Sequence, residues 1–275
     1  MQNAFLSVLG DLAARAPRSD AEYLGEDGLM RCSYCHTPTE CRISWGGVNS
    51  IVPCLCRCKE DERNRLAKLE EERRIYQARR LRCFEDPDMI GWTFANDDRA
   101  NPRLSDAMRE YAENFELYQK ERKGLLLYGP VGPGKTYFAA CIANALIDRG
   151  FVVRMANIAT VIDRLYGNTE NRYDILTTLN DCALLVLDDL GVESSTDYQQ
   201  GVVYSIIDRR VRSGKPMIVT TNLSSEALKK PTDEHRRRVY DRILGACHPV
   251  EVTGPSRRKQ ALRESFGDMQ NALGL

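Results

Sequence analysis

The chain has 275 residues, of which 43% are hydrophobic and 28% charged, a balance that can fill a globular core. Its 39 basic and 39 acidic side chains cancel, so any nucleic-acid binding must come from local patches rather than from overall charge. No apolar run reaches the length of a membrane span and no basic leader opens the chain, so neither a membrane anchor nor a signal peptide is expected.

Residues 3–16 place Phe5, Leu9 and Leu12 at helical spacing. This predicts a short amphipathic helix, either packed on the next module or docking a partner. Six of the ten cysteines then fall between Cys32 and Cys58, while Cys83, Cys141, Cys182 and Cys247 are scattered. Such clustering points to metal binding in a reducing cytoplasm rather than to a disulfide scaffold. Cys32-x-x-Cys35 is followed by Cys54-x-Cys56-x-Cys58. Zinc takes four soft ligands in a tetrahedron; a CxxC turn supplies two and a later pair closes the site. An iron–sulfur cluster is the alternative.

Residues 59–82 are dominated by Lys, Arg, Asp and Glu, with a thin stripe of Leu66, Leu69 and Tyr76. The pattern predicts a solvated connecting helix closed by Pro87. Arg73, Arg74, Arg79, Arg80 and Arg82 make its second half locally basic and leave a nucleic-acid role open. Beyond residue 90, apolar strand-like runs at 125–128, 151–155, 183–187, 217–220 and 250–252 alternate with helical stretches at 104–121, 136–149, 157–166, 172–180, 197–213 and 233–244. The fold class predicted is α/β, a parallel sheet flanked by helices on both faces. The domains expected are 1–58, an N-terminal helix and zinc-binding module; 59–88, a charged helical linker; and 89–275, the α/β domain.

The segment Gly129-Pro130-Val131-Gly132-Pro133-Gly134-Lys135-Thr136 fits GxxxxGK[ST] in full, between a predicted strand and a helix that opens at Tyr137. Its glycines let backbone N–H groups face phosphate oxygens, and the helix that follows presents its positive end. Lys135 is expected to reach the β- and γ-phosphates of ATP and Thr136 to ligate Mg²⁺. The run Ala183–Leu190 delivers Asp188 and Asp189 at the carboxyl end of a buried strand, where open α/β sheets bind ligands. Asp188 is the candidate to hold Mg²⁺ through water, and Asp189 the candidate to polarise the attacking water. A further buried strand, Ile218-Val219-Thr220-Thr221, ends at Asn222, a polar residue placed to contact the γ-phosphate or orient water.

Together with Arg236-Arg237-Arg238-Val239-Tyr240-Asp241-Arg242 and Gly254-Pro255-Ser256-Arg257-Arg258, these motifs resemble, in order, the DnaC/DnaI-type replicative helicase loaders and the similar IstB transposition ATPases of the AAA+ class. The resemblance implies an AAA+ P-loop ATPase, Mg-dependent and dependent on ATP-driven homo-oligomers for its hydrolysis. It implies a sensor role for Asn222, an arginine finger at Arg238 or Arg242, and a nucleotide-facing role for Arg258. Gly91-Trp92-Thr93-Phe94 sits where the family has an aromatic near the adenine, with a core aromatic as the other reading. The similar metal modules of helicase-loader relatives have CxxC followed by CxC, which implies Cys32, Cys35, Cys54 and Cys56 as zinc ligands. Cys58, Cys41 and His36 stand in reserve. The partners implied are a replicative hexameric DNA helicase and single-stranded DNA, with Arg154, Arg164 and Arg172 for phosphates and Tyr166 and Tyr173 for base stacking. A transposition regulator acting beside a transposase, and a nucleotide-gated zinc adaptor, are the alternatives.

Overall fold

A computed structural model describes residues 21–166, 172–191, 196–231 and 233–257, with five isolated positions beyond. The expected helix at 3–16 and Arg258 lie outside the described residues. The chain divides into two compact units, Met1–Arg74 and Ile75–Leu275.

In the first unit, strands β1 (Glu22–Leu24) and β2 (Met30–Cys32) pair antiparallel, and β3 (Glu40–Trp45) and β4 (Val48–Pro53) form a hairpin. Helix α1 (Arg57–Cys83) starts directly after the hairpin and continues past Arg74 into the residues of the second unit. Most of its side chains are exposed, as its charged composition requires.

In the second unit, two 3₁₀ turns at Pro87–Gly91 and Phe94–Asn96 lead to α2 (Pro102–Glu113) and α3 (Phe115–Lys120). The sheet elements follow: β5 (Gly124–Tyr128), α4 (Lys135–Asp148), β6 (Val153–Asn157), α5 (Ile158–Tyr166), α6 (Arg172–Asn180), β7 (Leu184–Leu190), α7 (Asp197–Ser213), β8 (Met217–Thr221), α8 (Ser225–Lys229), α9 (Glu234–Ala246) and β9 (Cys247–Glu251). The strands stand in the order β6-β7-β8-β5-β9, every pair parallel. Helices cover both faces, so the inner strands have no solvent side and read as unbroken apolar runs such as Leu-Leu-Val-Leu in β7. Phe138, Ile142 and Leu146 of α4 pack with Met108 and Phe115 in one core; α5, α7 and α9 build the other through Ile162, Ile207 and Ile243.

The helical stretch expected over 104–121 is two helices. Asn114 ends the first, its side-chain amide donating to the Glu110 carbonyl, and precedes the second. The last strand begins three residues before the expected start because its pairing with β5 begins at Cys247 opposite Gly124. The basic end of α1 is engaged within its own unit. Arg80 donates to Asn144 at 3.1 Å and pairs with Asp148, and Arg79 donates to the Gly150 carbonyl at 2.6 Å.

Candidate nucleotide site and cysteine centre

The loop between β5 and α4 is shaped by what surrounds it. Gly129 has φ 130° and Gly132 φ 108°, a region that side chains avoid. A Cβ on Gly129 would stand 2.7 Å from the Val252 carbonyl, and one on Gly132 would stand 2.3 Å from the Ser256 hydroxyl. The loop is therefore clasped by the chain leaving β9, with the Arg257 N–H bonded to the Gly132 carbonyl at 3.0 Å. Lys135 opens α4, is buried, and donates to the carbonyls of Gly129 at 3.0 Å and Pro130 at 2.6 Å.

The next residue, Thr136, bonds Asp188 Oδ1 at 3.0 Å. The same carboxylate oxygen accepts the Thr220 hydroxyl at 2.6 Å, and Thr220 in turn accepts the Asp189 N–H at 3.0 Å. These contacts join the ends of β7 and β8 to the start of α4. Asp189 adopts φ 59°, and the β7–β8 register shifts between Leu187 and Leu190. This break in the ladder turns the second acid away from regular pairing. Burial raises the Asp188 pKa; Asp189 adds to the rise, while Thr220 and Thr136 oppose it. A buried carboxylate beside a threonine hydroxyl is an oxygen donor set that fits Mg²⁺ with waters completing its shell.

A cavity of about 370 Å³ opens here. It is lined by Val131, Gly132, Gly134, Lys135, Thr136 and Tyr137, by Asp189 and Asn222 from the strand ends, and by Trp92 and Arg257. Gly129, Pro130 and Pro133 complete the loop. A phosphate loop, two strand-end acids and a strand-end amide thus converge at the carboxyl edge of a parallel sheet, the place where such folds hold nucleotides.

The chain belongs to the IstB-like ATP-binding protein family. The family's sequence profile matches residues 58–265. The protein is thus an AAA+ ATP-binding protein, and its family membership supports ATPase activity. It is 24% identical to the replicative helicase loader DnaI of Bacillus subtilis, over 86% of this chain and 81% of the relative. It is 30% identical to a putative ATP-binding protein in an insertion sequence of Mycobacterium tuberculosis, over 73% of this chain and 78% of the relative. A crystal structure of DnaI superposes with a TM-score of 0.53 at 26% identity, covering 64% of this chain and 95% of that one.

In this family member, two residues of the site escaped sequence reading. Thr220 stands within an apolar strand, and its link to Asp188 depends on strand order. Arg257, the neighbour of the expected Arg258, is the arginine of that segment that lines the cavity among the described residues. Asn222 lines the cavity. Arg238 and Arg242 are not among its lining residues. Arg242 lies 3.3 Å from Asp208 on α7, and Arg238 pairs with Glu234 of its own helix at 3.5 Å. Of the expected phosphate-contacting arginines, Arg154 donates to the Arg82 carbonyl at 2.6 Å and Arg164 pairs with Glu85 at 3.1 Å. Tyr166 and Tyr173 are 74% and 70% exposed, and Tyr198 packs edge-on against Tyr166 at 5.4 Å, with Arg172 over its ring.

The cysteine centre corrects one expected ligand. Sulfurs of Cys32, Cys35, Cys56 and Cys58 lie within 4.8 Å of one another; Cys54 is not in this group. Its sulfur instead faces the Pro38 carbonyl at 3.7 Å. The reason is local geometry. Residues 54 and 56 leave a strand, whereas Cys58 sits in the first turn of α1, whose coil brings it back to Cys56 at 3.3 Å and to Cys32 at 3.7 Å. Cys41 and His36 are likewise outside the group. Tetrahedral zinc with Zn–S near 2.3 Å separates its sulfurs by about 3.8 Å, so the observed spacing fits the ion. The Thr37 hydroxyl, 3.0 Å from Cys35, leads the effects that pull this thiol down to about 5, while neighbouring Cys56 and burial push Cys58 up to about 12. Four thiolates this close repel, and a divalent cation removes the conflict. No helix among the described residues is long and apolar enough to cross a membrane.

Proposed function

We propose that this protein is a cytoplasmic, ATP-dependent loader of a replicative hexameric DNA helicase onto single-stranded DNA. The observation that carries this reading is the extent of its similarity to DnaI. An alignment over 86% of the chain is longer than the unit Ile75–Leu275 and so reaches into the cysteine-bearing unit. The cysteine unit, organised by zinc on Cys32, Cys35, Cys56 and Cys58, holds the helicase. The AAA+ unit binds ATP and Mg²⁺ through Lys135, Thr136 and Asp188. Asp189 polarises the attacking water and Asn222 orients it. Arg242 or Arg238 completes the site of a neighbouring subunit, which makes hydrolysis weak until copies assemble. The assembled α5 and α6 segments present Arg164, Arg172, Tyr166 and Tyr173 to a DNA strand.

Fluorescence anisotropy with single- and double-stranded oligonucleotides tests the DNA part. Binding of single strands is expected to need ATP, to weaken steeply with salt, and to fall when Arg164 and Tyr166 are changed to Ala. A clear preference for duplex would favour the second reading, a transposition regulator, which the match to an insertion-sequence ATP-binding protein supports. No DNA binding with or without ATP would leave a nucleotide-gated adaptor.

A further inference from the structure

Asn144 lies on a buried face of α4, within the otherwise apolar run 138–147, and is 1% exposed. An asparagine in such a place is a poor helix former and destabilises the fold unless its amide is fully bonded. Here both polar atoms of the amide are engaged. Its two amide hydrogens serve the carbonyls of Met89 and Trp92, each at 2.9 Å, and of Ala140 at 3.2 Å. Its Oδ1 accepts the Arg80 Nε–H at 3.1 Å, and Arg80 also pairs with Asp148, one turn further along α4.

These bonds tie the segment before α2 to α4. Tyr137, two turns earlier on the same face of the helix, donates its hydroxyl to the Thr93 carbonyl at 3.1 Å. Two side chains of one helix thus hold the carbonyls of Met89, Trp92 and Thr93, while the Gly91 carbonyl is taken by Asn96 of the segment itself at 2.8 Å. The Trp92 ring stands 6.0 Å from the Tyr137 ring, tilted by 41°, and both residues line the nucleotide cavity. An aromatic wall offers little to a phosphate and a broad flat area to a base. Packing alone would be served by a leucine of similar volume at 144. What the amide adds is a fixed place for the backbone of Met89 and Trp92.

We infer that Asn144 is a positioning residue for the bound nucleotide: it holds the backbone that sets the Trp92 wall of the cavity, and Arg80 fixes which way its amide points. This rests on the reading of the cavity as the ATP site. A guanidinium only donates, so Oδ1 must face Arg80 and the NH₂ group must face Met89 and Trp92. Loss of the amide hydrogens frees the Trp92 wall before any nucleotide is added. That consequence does not depend on what the cavity binds.

The experiment uses the full-length protein carrying Trp45→Phe, which leaves Trp92 as its one tryptophan. Asn144→Asp keeps the shape and an acceptor for Arg80 but has no N–H to give. Trp92 emission should move to the red, acrylamide should quench it more strongly, and calorimetry should show Mg-ATP binding weakened about tenfold, the loss of buried hydrogen bonds. Arg80→Met should shift the emission in the same direction by less. Ile207→Val, a buried change in the other core, should lower the melting temperature and leave emission and affinity alone, so lost stability is not the cause. If Asn144→Asp fails to fold, Arg80→Met carries the test. Unchanged Trp92 emission in the folded variant that carries the test would overturn the inference. So would shifted emission with unchanged ATP affinity. Lys135→Ala separates the levels, since it should lose ATP and keep the Trp92 emission. Normal ATP binding by that variant would sink the ATP-site reading and leave the emission test standing.

Discussion

The Thr220 hydroxyl donates to Asp188 Oδ1 at 2.6 Å, linking neighbouring strands at the carboxyl edge of the sheet, beside the P-loop. Thr220 is fully buried and also accepts the Asp189 N–H, so one hydroxyl sets the position of both acids. Thr220→Val keeps the volume and removes the hydroxyl. It leaves a carboxylate and an N–H without this partner, at an expected cost of about 1–3 kcal/mol in urea unfolding. ATP turnover should fall further than ATP affinity, because the position of Asp189 is lost while Lys135 is not. Thr220→Ser should restore both.

The cysteine centre gives a test in which two neighbouring cysteines part company. The reduced, full-length protein should carry about one zinc per chain. Cys58→Ser should lose it, and Cys54→Ser should retain it, as read by elemental analysis. Chelation or Cys58→Ser should leave ATP binding intact, since every residue lining the nucleotide cavity belongs to Ile75–Leu275. Zinc lost from Cys54→Ser and kept by Cys58→Ser would reverse the ligand set.

Much of this was legible in the chain, and the exceptions have physical causes. The convergence of Lys135, Thr136, Asp188 and Asn222 was readable because a phosphate loop and buried strand ends leave local patterns. Thr220 and Arg257 were not, because their partners lie on elements that only the sheet order and the return of the chain past β9 bring near. Two overlapping CxC pairs, Cys54-x-Cys56 and Cys56-x-Cys58, fit the zinc pattern equally, because spacing along the chain says nothing of where a helix begins. Cys58 reaches the centre through the first turn of α1, two residues on from Cys56. The Asn114 break between α2 and α3 was hidden by apolar spacing that runs on across it.

Arg242 stands beside Asp208, whose side chain is 13% exposed and also holds Arg212 at 2.7 Å. Arg238, 64% exposed, has only the exposed Glu234 as an ion-pair partner among the described residues. If either arginine acts on a neighbouring subunit, its Ala variant should bind ATP normally and hydrolyse it poorly. Mixing that variant with Lys135→Ala should restore part of the activity, because one mixed interface has both an intact P-loop and an intact arginine. Comparing the two mixtures names the finger. Absence of rescue in both, with monomeric behaviour at all concentrations, would rule out a shared site.

Helicase loading itself is the decisive measurement. The host's hexameric helicase is incubated with circular single-stranded DNA and this protein, and helicase retained on the circle is counted after gel filtration. Loading is expected to require ATP, to be lost with Lys135→Ala, and to be lost with Cys58→Ser although ATP binding survives. Helicase left off the circle whether or not the protein and ATP are present, with no complex between the two proteins, would contradict it.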